Sequence, residues 1–132
     1  MERERLTLEY ELHGNSVKIM WQLISSAEGL SHWLADEVTE KDGVLTVRWG
    51  DARGHNEVRT ATILERKKYQ YLRFRWDDED DNSSFVELRV EHAELSDTYI
   101  LVVTDFVEPD DKAMMTKIWD HDRQKLLRNT GV

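Results

Sequence analysis

Residues 21–36 read WQLISSAEGLSHWLAD, and the folding of this stretch decides what can surround it. Val17, Met20, Trp21 and Ile24 fall at i, i+3, i+4 and i+7, one face of a short helix with Asn15 or Ser16 as its cap. Ser25 and Glu28 then have the S-x-x-E form of a capping box, which predicts a second short helix directly after the first. On that second helix a step of about 100° per residue groups Ala27, Leu30, Trp33 and Leu34 and leaves His32 roughly opposite. His32 and Asp36 are an imidazole and a carboxylate four residues apart. They read as a solvated pair outside the core rather than a catalytic or metal pair.

On both sides of this stretch the apolar period is two. Residues 6–12, LTLEYEL, alternate Leu6, Leu8, Tyr10 and Leu12 with polar partners, the pattern of a half-buried strand, and His13-Gly14-Asn15 ends it. After Asp36 the alternation predicts strands near 37–41, 44–49, 57–66, 69–76, 84–93 and 98–107. The turn signals Asp42-Gly43, Gly50 to Gly54, Lys67-Lys68, Asp77 to Asp81 and Ser96-Asp97 separate them. Leu72, Phe74 and Trp76, with Val86, Leu88 and Val90, form inward rows. Tyr71, Arg73, Arg75, Glu87, Arg89 and Glu91 face water or a cavity rim. Pro109, the only proline, stops the last strand, and Asp110-Asp111 supply a cap and negative charge for a long helix from about Asp111 to Asn129. Met114, Met115, Ile118, Trp119, Asp122 and Leu126 lie on one broad stripe of that helix.

The 132 residues, 39% of them hydrophobic and including five Trp, are enough for one domain over 1–132 that buries roughly two thirds of the surface its unfolded chain exposes. With no cysteine, disulfides, thiolate metal sites and cysteine nucleophiles are excluded. The N-terminal residues lack a signal-peptide core, and no apolar run approaches the roughly 20 residues that span a bilayer. A cytoplasmic protein without membrane insertion is expected. The 27 acidic against 18 basic side chains give a net charge of −9, which repels phosphate backbones, so no nucleic-acid partner is expected.

The acidic run WDDEDDNSS at 76–84 offers oxygens to a hard cation, but it lacks the glycine and distal glutamate of an EF-hand and reads as a charged hairpin loop that blunts edge pairing. The five histidines sit in different elements without metal-ligand spacing, so neither a metal nor a cofactor is expected. No Ser-His-Asp order, phosphate loop or nucleophile elbow is present, and no catalytic residue is assigned. Asp122 interrupts an apolar face. It needs either a polar partner, for which Arg73 or Arg75 is the expected choice, or a wet cavity at its border.

The order of elements, with WQLISSAEGLSHWLAD, YLRFRW at 71–76, TYILVVTDF at 98–106 and a last helix carrying Trp119 and ending DRQKLLRNTGV, resembles the START-like superfamily. Within it the chain is most similar to homologues of the Hsp90 ATPase activator. Leu30, Trp33, Leu34 and Ala35 match the L-x-x-W helix and small turn of that group. The resemblance implies an α+β helix-grip fold, in which a curved antiparallel sheet of about seven strands wraps a long C-terminal helix, with two short helices after strand 1. It implies a cavity between sheet and helix, open or filled, bounded by Trp21, Trp33, Trp76, Met115, Trp119 and Asp122. The expected function is non-enzymatic binding of an apolar or amphipathic small molecule, as a monomer or homodimer. The alternatives are a protein-interaction module and an enzyme of the cyclase or dehydratase type, whose acid/base pair would have to include Asp122 or His121.

Overall fold

A computed structural model describes residues 3–51 and 53–132. The turn expected at 50–54 includes Ala52, which lies outside the described residues. Seven strands, β1 (Glu4–Leu12), β2 (Glu37–Lys41), β3 (Val44–Gly50), β4 (Asn56–Lys67), β5 (Tyr71–Trp76), β6 (Val86–Ala93) and β7 (Thr98–Val107), form one antiparallel sheet in the order β1-β7-β6-β5-β4-β3-β2. Helices α1 (Val17–Ser25) and α2 (Ala27–Leu30) follow β1, and α3 (Lys112–Thr130) closes the chain. The expected helix-grip architecture is the observed one. Each strand after β1 agrees with its expected range to within two residues.

Hairpins explain the order from β2 to β7, because short antiparallel connections put successive strands side by side. Asp42 and Gly43 both have positive φ, 53° and 78°, as the two central residues of a type I′ turn require. β1 is the exception to sequential pairing. It joins β7 over nine register positions, from Glu4↔Val107 to Leu12↔Tyr99, and so brings the first and last strands together.

Cross-strand partners share a face, so the register defines one continuous inner surface. Leu45↔Ala61↔Trp76, Leu72↔Leu88 and Leu88↔Val103↔Leu8 run across the sheet on that side. Their side chains, with Met20, Ile24, Leu30, Trp33 and Leu126, make the core. The opposite, convex face carries Tyr71, Arg73, Glu87 and Arg89. Arg73 and Arg89 therefore lie against solvent and not at a cavity rim, paired with the buried Glu87 at 2.7 and 3.3 Å.

The two short helices form where the spacing places them, but the second cap is shifted by one residue. Ser16 caps α1, accepting from Ile19 N. Ser26, not Ser25, caps α2, and its hydroxyl oxygen accepts from Gly29 N at 2.9 Å. Ser25 is still helical, and its hydroxyl donates back to the Trp21 carbonyl at 2.6 Å. The Ser26 hydroxyl likewise donates back to the Gln22 carbonyl, at 2.7 Å, while accepting from Gly29, so one oxygen closes α1 and opens α2. Gly29 lies against α1 so closely that an added methyl would overlap the Gln22 carbonyl and the Leu23 backbone. His32 and Asp36 are exposed as expected. The Asp36 carboxylate accepts from Gly50 N at 2.6 Å and ties this stretch to the end of β3.

α3 presents a narrower buried stripe than its spacing suggested. Trp119, Asp122 and Leu126 are buried, whereas Met114 is 53% exposed and points to solvent. Pro109 to Asp111 form a 3-10 turn, and neither aspartate side chain caps the helix. Its C-terminal half is anchored: Asn129 donates to the His32 carbonyl at 2.7 Å and Arg123 to the Glu11 carbonyl at 2.6 Å.

Two outcomes test this packing. Burying a Trp side chain removes about 150–250 Å² from water, worth at most roughly 4–6 kcal/mol, comparable to the net stability of a small domain. A chain ending at Asp110 lacks Trp119 and Leu126 and is expected to show no cooperative unfolding transition. Gly29→Ala is expected to destabilise by about 3 kcal/mol or more, because backbone on both sides must move; denaturant unfolding reads it directly.

Candidate functional site

The N-terminal half of α3 stands off from β3, β4 and β5, and the gap is a cleft of about 340 Å³. Trp49, Trp76, Leu34, Met115 and Ile118 give it apolar walls, and Glu57, Arg59, Asp105, Trp119 and Asp122 complete the lining. Ile118 reaches it while remaining 45% exposed, which marks the mouth.

The sequence placed Trp76, Met115, Trp119 and Asp122 at such a cavity, and the structure brings all four together. Trp21 and Trp33 do not line it. Trp33 is a core residue whose indole donates to the Leu23 carbonyl at 2.9 Å and whose ring lies 6.4 Å from that of Trp119. Trp21 lies edge-on to Tyr69, at the turn between β4 and β5. Trp33 meets α3 at Trp119 from within the core and Trp21 faces the β4–β5 turn, so neither ring is part of the cleft lining.

Trp49, Glu57, Arg59 and Asp105 escaped the sequence reading, although strand parity carries a signal for each. Asp105 continues the inward row Leu101, Val103 of β7, opposite Leu6 of β1. Glu57 and Arg59 continue the row of Ala61 on β4, and Trp49 pairs with Glu57. Polar residues at inward parity at the ends of strands mark where a sheet face stops being core.

The lining is held in place by its own hydrogen bonds. Trp119 Nε1 donates to Asp105 Oδ2 at 3.0 Å, and Phe106 N donates to Asp105 Oδ1 at 2.8 Å. Trp49 Nε1 donates to the Leu34 carbonyl at 3.0 Å. Arg59 lies 4.1 Å over the Trp76 ring and makes a two-pronged bond with Asp78, at 2.7 and 3.0 Å. The acidic run is thus a connector with protein partners of its own: Asp77 accepts from the Thr60 and Thr62 hydroxyls, Asp78 from Arg59, and Glu79 from Arg3.

Asp122 departs from expectation. Arg73 pairs with Glu87, and Arg75 donates to the Ser84 and Asn82 carbonyls, so neither reaches it from the convex face. Its nearest cation among the described residues is Lys125 Nζ at 3.8 Å, beyond hydrogen-bond reach. The carboxylate is 7% exposed, and burial outweighs the attraction of Lys125 and pushes its pKa up to about 7. Burial likewise raises Asp105 above the usual carboxylate range, against the pull of its bonds from Trp119 and Phe106. Burial thus shifts two acids on facing elements beside the cleft toward protonation. His121, the other candidate acid/base group, is exposed on the flank of α3.

A pH titration separates this picture from a paired carboxylate. A raised folded pKa means that the stability contribution is complete below the unfolded value near 3.8 and is lost as pH rises through about 7. Relative to wild type, Asp122→Asn is expected to be more stable at pH 8, by on the order of a few kcal/mol. That advantage should shrink steadily toward pH 4. Thermal unfolding of both proteins across this range reads it.

No helix among the described residues is long and apolar enough to cross a membrane. A search of curated proteins finds no match. Among solved structures, that of BfR322 from Bacteroides fragilis is 35% identical, with 97% of this chain and 91% of that one covered and a TM-score of 0.64. The Aha1 dimer from Colwellia psychrerythraea is 14% identical over 97% of this chain and 98% of its own, at a TM-score of 0.69. NE0264 from Nitrosomonas europaea is 13% identical over 92% and 90%, at 0.70. The last two show a shared fold alone. The model of the START-like superfamily domain matches residues 1–132, in accord with the element order, the sheet and the grip on α3, and the chain belongs to that superfamily.

Proposed function

We propose that this domain binds an apolar or amphipathic small molecule in the cleft between α3 and the sheet. The observation that carries the reading is the cleft itself: about 340 Å³, within the range of small-molecule sites, with apolar walls and a few convergent polar groups. The walls are preformed, since Trp49 and Trp119 are each held by an indole hydrogen bond to the protein. Preformed walls reduce the ordering cost that binding would otherwise carry.

A protein partner or a second copy of the chain is the competing reading, and the convex face is the surface it would use. Its aromatic groups are already covered, with Arg73 over Tyr71 and Phe85 and Arg89 over Tyr71. A cyclase- or dehydratase-type reaction would draw on Asp105 and Asp122, whose raised pKa values suit proton transfer. Their placement on an apolar cleft without a nucleophile favours binding over turnover.

Native mass spectrometry of freshly purified protein is expected to show a co-purified small molecule that is lost on denaturation. Met115→Trp should fill the cleft and lower occupancy about tenfold or more, while unfolding stability changes by less than about 1.5 kcal/mol because Met115 lies at the edge of the core. Full occupancy of the Met115→Trp protein would place the molecule elsewhere.

A further inference from the structure

The cleft's donors and acceptors are unequally spent, and this inequality selects a head group. Two of its indoles offer no N–H to a ligand: Trp49 donates to the Leu34 carbonyl and Trp119 to Asp105. Arg59 spends Nε and Nη2 on Asp78, and its guanidinium lies over the Trp76 ring. The lining therefore presents aromatic surface and acceptor oxygens, with its one guanidinium already neutralised. The oxygens are those of Glu57 on β4, Asp105 on β7 and Asp122 on α3. Asp122 lines the cleft with 11% of its side chain exposed, and its nearest cation among the described residues, Lys125, is 3.8 Å away. An anionic head would meet three carboxyl groups.

We propose that the cleft takes the alkylammonium end of an amphipathic molecule, with the cation against the Trp49 and Trp119 rings and the Asp122 carboxyl group and the alkyl portion along Met115 and Ile118. The proposal rests on the binding reading above and adds the sign of the head group to it. Aromatic faces attract a cation through their quadrupole, most strongly where water is displaced, and a buried carboxylate lacking a hydrogen-bonded cation gains most from one. A quaternary ammonium needs no acceptor-to-donor match, so spent indole donors cost it nothing.

Three probes of equal chain length test this: hexyltrimethylammonium, hexanol and hexanoate, titrated at pH 7.5 and followed by the indole N–H signals of Trp49 and Trp119 in NMR spectra. Hexyltrimethylammonium is expected to bind about fivefold or more tighter than hexanol, with hexanoate weakest. Asp122→Asn should weaken the ammonium probe about fivefold and leave hexanol unchanged. Glu94→Gln, which removes the same charge from the exposed β6–β7 turn, should leave both unchanged. Hexanol or hexanoate binding as tightly as the ammonium would overturn the head-group assignment while upholding the cleft as a binding site. Equal losses in Asp122→Asn and Glu94→Gln would overturn it in favour of attraction by net charge. Failure of all three probes to shift the indole signals would overturn the binding reading and this inference with it.

Discussion

The hydrogen bond from Trp119 to Asp105 is the contact on which the arrangement of α3 depends. It joins the middle of the last helix to β7, the strand next to the β1 edge, and the Trp119 ring meets Trp33 from the helical stretch on the other side. A buried carboxylate is costly unless hydrogen-bonded, and here the indole and the Phe106 amide satisfy it. The pair fixes the height of α3 above the sheet. From that point the C-terminal half descends into the core at Leu126, while the N-terminal half stands clear of β3 to β5.

The same geometry makes the cleft and sets its chemistry. Met115, one turn before Trp119, and Ile118, the residue next to it, close the gap from above; Trp49, Arg59 and Trp76 form its floor. Asp122, three residues beyond Trp119, shares its face and is carried into the same dry region without an arginine to meet it. Its raised pKa is a consequence of where Trp119 is held. Stability and site are thus coupled, since the group that lines the cleft is also the one whose charge the core least tolerates.

The convex face follows opposite rules. Glu87 is buried there between Arg73 and Arg89, and burial would raise its pKa but for these two partners, which hold it below the usual carboxylate range. Aromatic rings on that face are roofed by guanidinium groups. A solvent-facing sheet surface is in this way sealed by its own side chains, whereas the concave side leaves one end unsealed.

The sequence by itself determined the strands, the two short helices, the long last helix and the inward rows, because alternation and three-to-four spacing follow from the direction in which each side chain leaves the backbone. Periodicity put Trp76, Met115, Trp119 and Asp122 on inward faces, and the family resemblance added the cavity between them. Even Asp105 carried a readable mark, a carboxylate at inward parity in an apolar strand. Tertiary structure alone decided the rest. Whether Ser25 or Ser26 caps α2 depended on a kink between helices, and Trp33 went to the core, where its indole donates to the Leu23 carbonyl. Asp122 meets Lys125 rather than an arginine because Arg73 and Arg75 lie on the far side of the sheet. Periodicity states which side of an element is apolar. It does not state the distance between two elements, and a cleft is that distance.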